Sequence, residues 1–180
     1  MSYVELQCTS HFSFLRGASS CDELFITAAA LGIEELAIVD RNSVAGIVRA
    51  YEASKNTGVR LIVGCRLDLA EDLSVLVYPT DRAAYGRLCR LLSLGKERAG
   101  KAKCALTWED LASHAEGLIA LIPSFAGAST QALTAGDEDG ARAVVSEYQS
   151  IFGKENVFLE ITHHPKVAGH EERMKKIRTL

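Results

Sequence analysis

Tyr3-Val4-Glu5-Leu6-Gln7-Cys8-Thr9-Ser10, continuing as His11-Phe12-Ser13-Phe14-Leu15-Arg16-Gly17, is the stretch on which the reading of the fold turns. Val4 to Cys8 reads as a first strand, and the residues after it leave the strand through a polar and aromatic turn. Ser20 and Glu23 then form a Ser-x-x-Glu capping box, in which each side chain can satisfy an exposed amide at a helix start. That helix runs through Leu24, Ala28 and Leu31, and Gly32 is placed to end it. The same order returns at once. Leu36 to Val39 is a second strand, a helix begins near Val44 and stops near Gly58, and Leu61-Ile62-Val63 opens a third strand.

Farther along, Leu67 to Ala70 and Ser74 to Tyr78 read as a short extension and a strand. Thr80 or Asp81 can cap a long helix reaching Leu94, after which Gly95 to Lys103 reads as a polar, basic loop. Thr107-Trp108-Glu109-Asp110 starts a short helix that Gly117 ends. Leu118 to Ile122 is a strand, Asp137 or Asp139 opens a helix closed by Gly153, and Val157 to Ile161 is the last clear strand. Glu171 to Arg178 reads as an amphipathic helix with no Gly or Pro stop, the pattern expected of an N-terminal fragment of a longer protein. This strand–helix rhythm predicts a parallel sheet wrapped by helices. Gln7, Thr9, Asp40, Arg41, Arg66 and His164 then fall at or just beyond strand ends, where α/β folds build their sites.

Composition narrows the field. With 180 residues, 48% hydrophobic and 24% charged, the chain suits one well-buried domain. A net charge of −3 argues against a wholly basic nucleic-acid binder, although Arg82, Arg87, Arg90, Lys96, Arg98, Lys101 and Lys103 form a local basic run. That run reads either as a contact for phosphates or another domain, or as a solvated face. Five scattered cysteines without a Cys-x-x-Cys pair argue against a zinc or disulfide framework and suit a cytoplasmic protein. No signal peptide, membrane span, P-loop or dinucleotide fingerprint is evident.

Because side chains alternate along a strand, Gln7 and Thr9 share one face and Cys8 points away, into packing against a helix. The segments quoted above, with Ala37-Ile38-Val39-Asp40-Arg41-Asn42-Ser43-Val44-Ala45-Gly46 and Ile62-Val63-Gly64-Cys65-Arg66, resemble the PHP (polymerase and histidinol phosphatase) family. In that family the first segment carries His-x-His, the second ends in Asp-His and the third carries Gly-x-Glu. On this resemblance Gln7, Thr9, Arg16, Arg41 and Arg66 occupy degenerate former metal-site positions, while Asp40 and His164 are possible residual site residues. An arginine has no lone pair to give a metal and stays charged. Two readings of the arginines stay open: they bind an anion in the vacated pocket, or they pair with leftover acids such as Glu5, Asp40 and Asp68.

The opening segment, the Asp40-Arg41-Asn42-Ser43 motif and Tyr78-Pro79-Thr80-Asp81-Arg82 through Gly95 resemble more narrowly the error-prone bacterial DNA polymerases of the C family, relatives of the replicative polymerase III alpha subunit. The resemblance implies a distorted (β/α) barrel, incomplete in this chain, spanning residues 1–180 as the N-terminal part of a PHP domain. It implies a parent enzyme that copies damaged DNA from deoxynucleoside triphosphates with magnesium, using catalytic aspartates beyond Leu180 and other polymerase domains of the same chain. Lacking its ligands, the module itself is expected to hold no cofactor, to lack proofreading nuclease activity and to act as a scaffold. The alternatives are a metal-dependent phosphoesterase, which would need histidines at positions 7, 9 and 41, and an anion- or DNA-docking module using Arg16, Arg41 and Arg66.

Overall fold

The computed structural model describes residues 3–70, 73–101, 103–123 and 137–160. The expected helix at 171–178 and residues His163, His164 and His170 lie outside the described residues. The chain divides into two compact units, Met1–Leu67 with Val77–Pro79, and Asp68–Leu76 with Thr80–Leu180.

In the first unit, β1 (Glu5–Cys8), β2 (Glu35–Ile38) and β3 (Arg60–Val63) form a parallel sheet in that order, connected by α1 (Cys21–Ala30) and α2 (Ile47–Thr57). The capping box is present in both halves: Ser20 Oγ accepts from the Glu23 amide and the Glu23 carboxylate accepts from the Ser20 amide, at 3.2 and 2.7 Å. Gly32 takes φ 72° just beyond α1 and Gly58 takes φ 78° just beyond α2, a left-handed conformation that glycine adopts without steric penalty. Leu36 and Ile38 project to one face of the sheet, where Cys21, Phe25 and Ala28 of α1 meet Ala50 and Ala53 of α2. The two alanines let α2 lie close against that face, and Cys8 packs against the same cluster, as its place in the alternation requires. Fully burying a side chain such as Phe25 contributes about 2–3 kcal/mol relative to exposure.

The remaining elements are β4 (Cys65–Asp68), β5 (Ser74–Pro79), α3 (Arg82–Ala99), α4 (Trp108–Ala112), β6 (Leu118–Ile122), α5 (Glu138–Phe152) and β7 (Val157–Leu159). Strands β4 to β7 form a four-stranded sheet in sequence order, with β6 and β7 parallel. The α/β class expected from the sequence holds, but the strands gather in two sheets where the rhythm reads as one. The sheets part between β3 and β4, where Gly64 alone intervenes, far short of the dozen or so residues that a parallel crossover needs.

Helix α3 corrects a second expectation. It continues past Leu94 to Ala99, and the loop begins only at Gly100. Gly95 is buried inside the helix, not a stop signal: a Cβ there would lie 2.6 Å from both Cys104 Sγ and Leu106 Cδ2. Its carbonyl also accepts the Ala105 amide at 2.9 Å, so the returning chain crosses the helix directly over the missing side chain. Beyond the crossing, Arg98 reaches Asp110 of α4 with two guanidinium nitrogens.

Gly95→Ala should therefore destabilise the protein by about 1–3 kcal/mol in urea unfolding, despite the better helix propensity of alanine. An unchanged or raised midpoint would refute the close-approach role. Asp110 generates a second expectation. The Arg98 hydrogen bond, helped by the Thr107 amide, holds its carboxyl well below the usual carboxylate range. A depressed carboxyl contributes stability above its unfolded value, near pH ~4, and loses it as pH falls through the folded value. Thermal melting should find the protein more stable than Asp110→Asn above about pH 5, with the difference shrinking steadily below about pH 4.

Candidate functional site

The candidate site lies in the first unit, at the carboxyl ends of β1 and β2 and the start of β4. Gln7 and Thr9 are half-buried at the end of β1. The pairing of β1 with β2 is carried one step farther by the Val39 amide, which donates to the Cys8 carbonyl at 2.8 Å. This brings Asp40, 1% exposed, beside the turn that follows β1.

Asp40 is the centre of the site. Its Oδ1 accepts the Ser10 amide at 2.9 Å and the Ser13 hydroxyl at 2.7 Å, and its Oδ2 accepts the Ser10 hydroxyl at 2.7 Å. The serines are used twice: Ser13 Oγ accepts the Arg41 amide at 2.8 Å and Ser10 Oγ accepts the Phe12 amide at 3.2 Å. The Asp40 carbonyl takes the Arg66 amide at 3.1 Å and lies 3.3 Å from the Cys65 thiol. Gly17 closes the turn, since a Cβ there would strike the Ser10 carbonyl and lie 2.7 Å from the Thr9 oxygen. The turn also holds Leu15 at φ 62°, a left-handed conformation costing a non-glycine residue roughly 1–2 kcal/mol.

Arg41 and Arg66 meet as direct partners in a parallel β-bridge, and the Asn42 amide donates to the Arg66 carbonyl at 2.8 Å. Arg41 is exposed and Arg66 half-buried, while Arg16 projects from the turn as an exposed residue. The expectation that arginines pair with leftover acids does not hold for Glu5 or Asp40. Glu5 accepts from the Tyr3 hydroxyl and the Gln7 amide, and Asp40 from Ser10 and Ser13. Neutral hydroxyls two and five residues beyond β1 reach Asp40 with little rearrangement, whereas a guanidinium would have to be desolvated to do so. His11 Nδ1 lies 3.2 Å from the Ser19 carbonyl, and its ring stacks on Phe12 at 4.7 Å. Among the described residues, no three His, Cys, Asp or Glu side chains are grouped to hold a metal ion. No described helix is long and apolar enough to cross a membrane.

Ser10 and Ser13 are the residues that sequence reasoning left without a role. Their signal was present as Ser-x-x-Ser directly after a strand, but the acceptor lies 27 to 30 positions away.

The family model described as PHP domain matches residues 5–164. This chain belongs to the PHP domain family. Over 120 residues it is 71% identical to Error-prone DNA polymerase 1 of Agrobacterium fabrum, covering 67% of this chain and 11% of that protein. Error-prone DNA polymerase 2 of the same organism is 58% identical over 149 residues, covering 81% of this chain and 14% of the relative. The chain thus spans a small fraction of the length of these relatives. A solved structure assigned as a metal-dependent phosphoesterase of Bifidobacterium adolescentis superposes with TM-score 0.68 at 15% identity, covering 99% of this chain and 83% of that one, a likeness of fold alone.

Removing the Asp40 carboxylate leaves two buried hydroxyls and an amide without their acceptor. Asp40→Ala should cost about 3 kcal/mol or more, and Ser13→Ala about 1–2 kcal/mol, in denaturant unfolding. Hydrogen exchange of the amides of Ser10, Phe12 and Arg41 should accelerate in Asp40→Ala. Unchanged protection there would show that the carboxylate does not organise the turn.

Proposed function

We propose that this PHP domain is the structural, non-catalytic module of an error-prone DNA polymerase. The support for the polymerase assignment is the 71% identity to a protein of that name. On this reading the parent protein synthesises DNA from deoxynucleoside triphosphates with magnesium, works in the cytoplasm on damaged templates, and joins this module to further polymerase domains.

The observation that carries the non-catalytic half is the direct pairing of Arg41 with Arg66 beside Asp40. Metal ions of the kind the fold family uses need neutral imidazoles or carboxylates with free lone pairs at about 2.0–2.2 Å. The residues at the corresponding positions are an amide, a hydroxyl and two guanidiniums, and the Asp40 carboxylate is committed to three donors. This set does not fit a metal cluster, because an arginine has no lone pair to give a metal. It supports no hydrolytic step. The same register favours one second reading, an anion held at the strand ends by Arg41 and Arg66; phosphate binding that vanishes in Arg66→Ala would support it.

Metal-stripped protein titrated with zinc or manganese and assayed by elemental analysis should take up far less than one ion per chain. The double variant Gln7→His with Thr9→His should behave the same while Arg41 and Arg66 remain. Tight one-to-one uptake with trimming of a DNA 3′ end would sink the proposal.

A further inference from the structure

Helix α3 breaks several local rules along one exposed face. Its first helical residue is Arg82, and its first turn contains no acidic residue, although a cation at the positive end of the helix macrodipole is unfavourable. One turn later stands Gly86, among the weakest helix formers. Neither packing nor backbone geometry requires glycine there: its φ is not left-handed, and an added Cβ would meet nothing nearer than Arg90 Nη1 at 4.0 Å. One further turn brings Arg90, exposed, its guanidinium lying toward that bare stretch of helix.

The basic residues near α3 fall into two groups. Arg87 and Arg98 are structural: Arg87 donates to the Glu116 carbonyl at 2.8 Å and pairs with its carboxylate, and Arg98 pairs with Asp110. Arg82, Arg90, Lys96, Lys101 and Lys103 are exposed and make no ion pair among the described residues. Of the two acids nearby, Asp81 is engaged as the helix cap on the Ala84 amide at 2.7 Å, which leaves Glu97. In a chain of net charge −3, this is a local concentration of uncompensated positive charge.

We propose that the Arg82–Gly86–Arg90 face of α3, with Lys96, Lys101 and Lys103 beyond it, binds the phosphate backbone of duplex DNA. The bare helix at Gly86 lets a rigid polyanion approach closely, and the flanking guanidiniums supply forked donors suited to phosphate oxygens. Contacts to phosphate alone position a duplex without reading its sequence. The choice of DNA as the polyanion rests on the polymerase reading; the charge arrangement stands without it.

Fluorescence polarisation of a labelled duplex of about 20 base pairs, mixed with the full 180-residue chain between about 50 and 200 mM salt, tests this. Binding should weaken with salt, and Arg82→Gln with Arg90→Gln should lower affinity about tenfold or more. The double variant should also flatten the log–log salt slope by about 1.8, from roughly 0.9 for each phosphate that is no longer neutralised. Gly86→Glu, which fills open space with a negative charge, should weaken binding similarly. Thermal melting of each variant verifies that it is folded. Equal affinity in folded variants, salt-independent binding, no binding by the unaltered chain, or equal preference for polyglutamate would each overturn the proposal. Stoichiometric metal uptake would sink the non-catalytic reading and leave this one standing, so the two failures are distinguishable.

Discussion

A buried carboxylate whose oxygens are taken by donors of one short turn is the constraint on which the site end of the first unit depends. Asp40 can stay in the interior only because three donors from one short turn reach it. Hydrogen bonds to a charged acceptor are roughly twice as strong as neutral ones, and here they also fix the backbone that supplies them. Ser10 ties the end of β1 to the end of β2, Ser13 passes the link on to the Arg41 amide, and the Asp40 carbonyl takes the Arg66 amide at the start of β4. Asp40, through its side chain and its carbonyl, therefore ties together the ends of β1 and β2 and the start of β4. The left-handed Leu15 is the local strain this arrangement accommodates.

Much of this fold could be read from local chemistry, because much of it is locally determined. The Ser20 and Glu23 pair, the Asp81 cap and the glycines after α1 and α2 act within a few residues of themselves, and short motifs record such effects faithfully. Gly95 shows the limit. In sequence it is a helix breaker next to charged residues; in the fold its missing side chain is what lets Cys104 and Leu106 cross the helix. The number of sheets was hidden for a similar reason. Strand rhythm reports that strands alternate with helices, but between β3 and β4 only Gly64 intervenes, and the sheet changes there.

The site was legible in position more than in bonding. Alternation along β1 placed Gln7 and Thr9 together, and the family pattern placed Asp40, Arg41 and Arg66 nearby; the β-bridge between Arg41 and Arg66 makes that proximity concrete. What remained hidden was which groups satisfy the buried acid. One sequence reading matched charge with charge and offered arginine for Asp40. Desolvating a guanidinium costs several kcal/mol before any attraction is gained, whereas a serine hydroxyl already at the turn loses little. The arginines stay at the more exposed strand ends, and the neutral donors go inside.

On the proposed non-catalytic reading, this division explains how the fold can stand without metal chemistry. In a metal site, the same acids both coordinate the ion and hold the strands, so losing the ion should expose mutually repelling carboxylates. Here the strand-holding task belongs to Asp40 and its serines, and on the proposed reading Arg41 and Arg66 stand at the family's ligand positions. On that reading the domain can be selected for what its outer surfaces contact, and along α3 the sequence departs from what helix stability alone would choose.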